Sequence, residues 1–138
     1  MKYPVIIEKD QHHGFAAFFP DIPEALTCGD TYEEALEMAS DALLVAFEFY
    51  FDDFRIIPPP SRVKKGQAFV DVPPSVSAKI FLLNEMIQQK VTNAELARRI
   101  GTKQQEITRI VNLRHATKID TIDSALRALG RHLDLSLA

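Results

Sequence analysis

The sequence has a single cysteine, Cys28, no tryptophan, few glycines, and no apolar run long enough to span a membrane. One cysteine excludes an internal disulfide and a cysteine-rich zinc cluster, so the fold must rest on packing, and a reducing compartment is compatible. The opening stretch MKYPVIIEKD lacks the apolar core of a signal peptide, which makes the cytoplasm the expected location. What is present is an ordinary globular composition, 46% apolar and 25% charged over 138 residues, enough for one domain or two small ones. The net charge of −3 conceals a division. Met1 to Ser75 holds 6 Lys+Arg against 13 Asp+Glu, or −7, and Val76 to Ala138 holds 10 against 6, or +4. That reversal implies two units with different partners, the basic one being the candidate for a polyanion.

The patterning supports an α+β chain. Lys2 to Glu8 alternates as a strand, His12-His13-Gly14 reads as a turn, and Phe15 to Phe19 returns as a second strand. Ala25 to Cys28 is a candidate third strand. Thr31-Tyr32-Glu33-Glu34 is a capping box that opens a helix. On that helix Tyr32, Ala35, Leu36, Ala39, Leu43, Ala46, Phe47, Tyr50 and Phe54 are expected to cover a sheet. A second stripe of Met38, Ala42, Val45 and Phe49 widens the apolar surface; it suits either more core or contact with another chain. Gln67 to Val72 alternates as a last strand, completing a ββ(β)αβ domain over residues 1–72. Pro73-Pro74-Ser75 is a short stiff linker where the charge balance reverses.

Residues 76–138 read as helices. Ser75 to Gln89 forms one, Thr92-Asn93-Ala94-Glu95 caps a second that Gly101 ends, and Thr102-Lys103-Gln104-Gln105 offers a box for a third reaching about Leu113. Thr121 to Leu129 makes a fourth, and Leu133, Leu135 and Leu137 alternate as a terminal strand. A lone strand needs an edge to bond, which points to a two-fold dimer or larger homo-oligomer.

Asn93 to Asn112 resembles the Cro and lambda-repressor helix-turn-helix. Ala97 is small where a second helix crosses, Gly101 permits the tight turn, and Leu96, Ile100, Ile107 and Ile110 are expected to bury the contact. The resemblance implies that the helix from Lys103 lies in a DNA major groove. Lys103, Gln104, Gln105 and Thr108 are then the base readers, since a glutamine amide matches the paired groups of adenine and lysine suits guanine acceptors. Plain helix solvation is the other use for these side chains, and Gln105 is also a candidate cap for its own helix. Arg109, Arg114 and Lys118, with the backbone at Asn93, suit phosphates, which give affinity without sequence information; each also suits a solvated surface.

The stretch Phe19-Pro-Asp-Ile-Pro-Glu-Ala-Leu-Thr-Cys-Gly-Asp-Thr-Tyr-Glu-Glu-Ala35 resembles the signature of HicB antitoxins, with linker and helix-turn-helix following in that family's order. The resemblance implies a partial ribonuclease-H-like fold that binds a HicA-type toxin, a small basic messenger-RNA-cleaving protein, and a complex that represses its own operon on double-stranded operator DNA. A repressor without a toxin, whose first domain senses a ligand or dimerises, is the alternative. An enzyme is not expected. The first strand reads Val5-Ile6-Ile7 where a ribonuclease H needs a central metal-binding carboxylate. Asp52 and Asp53 point about 100° apart on a helix, and His12-His13 has no third ligand nearby in sequence. Cys28 lacks basic neighbours and reads as a half-buried strand residue. Neither metal nor cofactor is expected.

Overall fold

The computed structural model describes every residue except His13, so the expected His12-His13 turn falls partly outside the described residues. The chain divides into two compact units: Met1–Tyr50 with Ile57–Val72, and Phe51–Ile56 with Pro73–Ala138. The whole is mixed α+β, with strands confined to the first unit.

In the first unit, β1 (Lys2–Pro4) pairs antiparallel with β5 (Phe69–Asp71), Tyr3 opposite Val70. Then β2 (Ile6–Lys9), β3 (Phe15–Phe18) and β4 (Leu26–Gly29) form a separate three-stranded antiparallel meander. The single strand expected over Lys2 to Glu8 is therefore two, divided at Val5 after a proline that has no N–H for a ladder. Val5 gives its own N–H to the Ala68 carbonyl at 3.0 Å, extending the β1–β5 pairing by one bond.

Helix α1 (Tyr32–Asp52) begins at the expected box: the Glu34 amide donates to Thr31 Oγ1 at 3.1 Å, and the Glu34 carboxylate accepts from the Asp30 amide at 3.3 Å. Twenty-one residues without glycine or proline then continue it. Ala35, Ala39, Leu43, Ala46, Phe47 and Tyr50 are buried, and the Phe47 ring stands edge-on to Tyr3 at 5.4 Å. The buried Tyr3 hydroxyl donates to the Pro58 carbonyl at 2.8 Å, and desolvation, reinforced by nearby Asp21, pushes its pKa well above the ordinary phenol value. Leu36 of the expected core stripe is only half-buried, and two further members are not in the core at all. Tyr32 lies at the first turn and Phe54 beyond the last, where the chain has left the helical path at φ 52°, and both are exposed. Gly29 has a packing role: a Cβ there would lie 2.5 Å from the Ala35 nitrogen, so β4 and the start of α1 meet backbone to backbone.

The second unit holds α2 (Pro74–Gln88), α3 (Asn93–Ile100), α4 (Gln104–Ile110) and α5 (Ile119–Arg127). Helix α2 starts at Pro74, inside the expected linker, because proline at the first helical positions loses no needed donor. Leu82, Met86, Leu96, Ala97, Ile107, Ile110, Ile122, Ala125 and Leu126 share one core, with Leu133 packed at its margin. The expected terminal strand is absent: residues 131–138 have no strand pairing, and Leu135 and Leu137 are 82% and 101% exposed. A single copy offers that segment no edge to bond.

Candidate nucleic-acid interface and partner surface

The site begins with the turn between α3 and α4. Thr92 caps α3 by accepting the Glu95 amide at 3.1 Å. Gly101 ends it in the left-handed region at φ 83°, and the amides of Gly101 and Thr102 both reach the Ala97 carbonyl at 2.9 Å. The Thr102 amide is thus engaged by α3, and α4 starts one residue later than the expected box, which does not form. Lys103 is the N-cap of α4, and no side chain caps it. Gln105 is thereby released from the capping duty that competed with base reading. Leu96 and Ala97 of α3 and Ile107 and Ile110 of α4 are buried, whereas Ile100, expected in that contact, is 38% exposed. Helix α4 also stops at Ile110, short of Leu113.

Lys103, Gln104, Gln105 and Thr108 are all exposed and line one open concavity. Four candidate readers thus fall on a single face. The Thr108 hydroxyl donates to the Gln104 carbonyl at 3.1 Å, leaving its oxygen lone pairs outward as acceptors. The Arg109 guanidinium binds Glu106 at 2.6 Å one turn back, so a phosphate would have to displace or share that carboxylate. Asn93 is half-buried, with its amide oxygen enclosed and unpartnered. Its place at the first turn of α3 leaves a backbone N–H outside the helical ladder.

Arg114 and Lys118 lie apart from α4, on the exposed loop leading to α5, of which Lys118 is the N-cap. Asn112 braces this loop by accepting the Arg114 amide on Oδ1 at 3.0 Å. Beneath it is a residue that the sequence reading passed over. Lys79 of α2 is 2% exposed and donates from Nζ to the carbonyls of Asn112 at 2.7 Å and His115 at 2.6 Å. Burial lowers its pKa from the ordinary lysine value. The signal was available: Lys79 stands three residues after Val76 and four before Leu83, on the apolar face of its helix. Arg98 and Arg99, also unassigned from sequence, both pair with Glu95.

The other candidate surface is on α1. Met38, Val45 and Phe49 are 42%, 49% and 56% exposed, and Ala42 between them is half-buried. Successive steps of four, three and four residues set them along one ridge, with exposed Glu37 and Asp41 alongside. Cys28 is exposed on β4 rather than half-buried, because its strand lies at the edge of the meander. Among the described residues, no group of three His, Cys, Asp or Glu side chains is arranged to hold a metal. Nor, among them, is any helix long and apolar enough to cross a membrane.

Comparison with known proteins matches two families in succession along the chain, with the boundary between them inside α2. Residues 2–81 match the family described as HicB-like antitoxin of bacterial toxin-antitoxin systems, and residues 82–136 match a helix-turn-helix family. Antitoxin HicB 2 of Photorhabdus laumondii is 63% identical over 135 residues, covering 98% of this chain and 95% of the relative. Antitoxin HicB of Escherichia coli K12 is 52% identical over 135 residues, covering 98% of each. Antitoxin HicB of Pseudomonas fluorescens is 39% identical over 118 residues, covering 85% of this chain and 81% of the relative.

Proposed function

From the premise that this chain belongs to the HicB-like antitoxin family, whose members are regulators rather than enzymes, we propose a division of labour between its two units. The acidic first unit binds and neutralises a HicA-type messenger-RNA-cleaving toxin. The helix-turn-helix unit binds operator DNA and represses the chain's own operon. The observation that carries the DNA half is the convergence of Lys103, Gln104, Gln105 and Thr108 on one exposed concavity after a left-handed Gly101 turn. These four read bases, and Arg109, Arg114, Lys118 and the Asn93 amide hold phosphates. Glu106 beside Arg109 then acts as a placeholder that a phosphate replaces.

The toxin half rests on the Met38, Ala42, Val45 and Phe49 ridge: an apolar strip flanked by carboxylates suits a basic partner with an apolar contact patch. The unit's strand and helix order, four strands, a helix and a last strand, fits a partial ribonuclease-H-like domain. Both activities belong in the cytoplasm. The alternation of Leu133, Leu135 and Leu137, the last two exposed, fits pairing with a sister chain, giving the dimer that a palindromic operator requires.

Co-expression with the neighbouring reading frame, followed by purification through one tag, tests the proposal. A small basic protein should co-purify, and the complex should retard a duplex carrying the upstream region. A chain that retards the duplex but captures no neighbour would instead support a repressor without a toxin.

A further inference from the structure

We propose that Lys79 is a positioning residue for DNA phosphate contact: from inside the second unit it holds the loop that carries Arg114 and Lys118. The inference rests on the operator-binding reading above and adds to it a residue that never touches DNA.

Lys79 is enclosed on α2, yet its two partners are carbonyls rather than carboxylates. No opposite charge there offsets the desolvation of the ammonium, and a methionine or leucine of similar shape would occupy the position more cheaply. A buried cation in that setting is explained by something an apolar residue cannot do. Here it is donation to two main-chain acceptors at once. The Asn112 carbonyl already accepts the His115 amide at 3.1 Å, closing a turn, and Lys79 ties both ends of that turn to α2. The Asn112 side chain fixes the Arg114 amide, and the Thr117 hydroxyl donates to the His115 carbonyl at 3.4 Å, just before Lys118 opens α5. With its carbonyls engaged on the α2 side, the loop leaves Arg114 and Lys118 exposed. Phosphate contact depends on such registration, because two long cationic side chains reach successive phosphates only from a fixed main chain.

The test uses the full-length chain, its own upstream promoter fragment and a mixed-sequence duplex, with binding titrated over several salt concentrations. Lys79→Met keeps the aliphatic stem and removes both hydrogen bonds. If Lys79 positions the loop, affinity for both duplexes falls by about the same factor, roughly tenfold or more. The slope of log affinity against log salt becomes shallower by about 0.9 to 1.8, the value of one or two phosphate contacts. The preference for the promoter fragment survives. Combining Lys79→Met with the Arg114→Ala, Lys118→Ala pair should then cost little beyond that pair alone, since all three act through the same contacts. A folded Lys79→Met chain with an unchanged salt slope overturns the proposal, as does a loss that simply adds to that of the Arg114→Ala, Lys118→Ala pair. Should Lys79→Met fail to fold, Lys79→Gln keeps a polar side chain too short to reach both carbonyls. It should also flatten the slope, and an unaltered slope there overturns the proposal. A wild-type chain that binds neither duplex overturns the operator reading itself, a result distinct from any of these.

Discussion

Helix α1 and helix α4 each present an exposed face, and they are opposites in chemistry. The α1 ridge of Met38, Val45 and Phe49 is apolar with acids alongside; the α4 face of Lys103, Gln104, Gln105 and Thr108 is polar and open. The first can gain free energy by leaving water, so area and fit govern it. The second can gain by exchanging counterions and matching hydrogen bonds, so salt and base identity govern it. The proposed division of labour thus assigns two recognition problems of different physics to different units, whose charges differ in sign.

The largest test of that contrast is salt. With Arg109, Arg114 and Lys118 on phosphates, a fourfold rise in salt should weaken DNA binding by roughly fortyfold. Toxin binding, if apolar contact dominates, should change by less than about threefold. Equal sensitivities in parallel titrations would erase the distinction. Next comes Phe49→Gln, which keeps helix propensity but removes the most exposed ring of the ridge. Toxin affinity should drop by about thirtyfold if Phe49 is an anchor, with operator affinity unchanged and stability moved by under about 1 kcal/mol. Intact toxin binding would remove the ridge from the interface. Gln104→Ala should narrow the preference for operator over mixed-sequence DNA by about tenfold, from the roughly 1 to 3 kcal/mol of a bidentate base contact. Equal losses on both duplexes would make Gln104 a positioning contact only.

The smallest expected effect concerns the segment after α5. The Leu133 amide, donating at 2.8 Å, and then Arg127 hold the Asp123 carboxyl below its ordinary pKa of 3.8. Its folded value is depressed, so the tether is fully in force above that ordinary value and is lost as pH falls through the folded one. Hydrogen exchange at the Leu133 amide should therefore quicken in Asp123→Asn at neutral pH, with α4 unaffected. Exchange as slow as in the wild type would show that the tether is unimportant.

Local signals were readable where local chemistry decides the outcome. The box at Thr31, the N-cap at Thr92, the glycine stop at Gly101 and the helical spacing in both units need only neighbouring residues, and each is present. Family resemblance supplied what spacing could not, the antitoxin assignment, and the comparisons support it. The failures came where distant or competing groups intervene. The Thr102 box looked as good as its counterparts, but the C-cap of α3 had prior claim on that residue. The Leu133 to Leu137 alternation is real, yet a strand exists only with an edge beside it. Lys79 was passed over because lysine is ordinarily solvated; only the fold reveals two carbonyls converging on it.

Gly29 has a reach beyond its size. Any side chain at that position would overlap the main chain of Ala35, and α1 would have to slide outward to make room. Met38 and Phe49 would be carried with it. If the ridge meets the toxin, alleles that lose protection are therefore expected to arise at residue 29, which is not part of the ridge, as well as on the ridge itself.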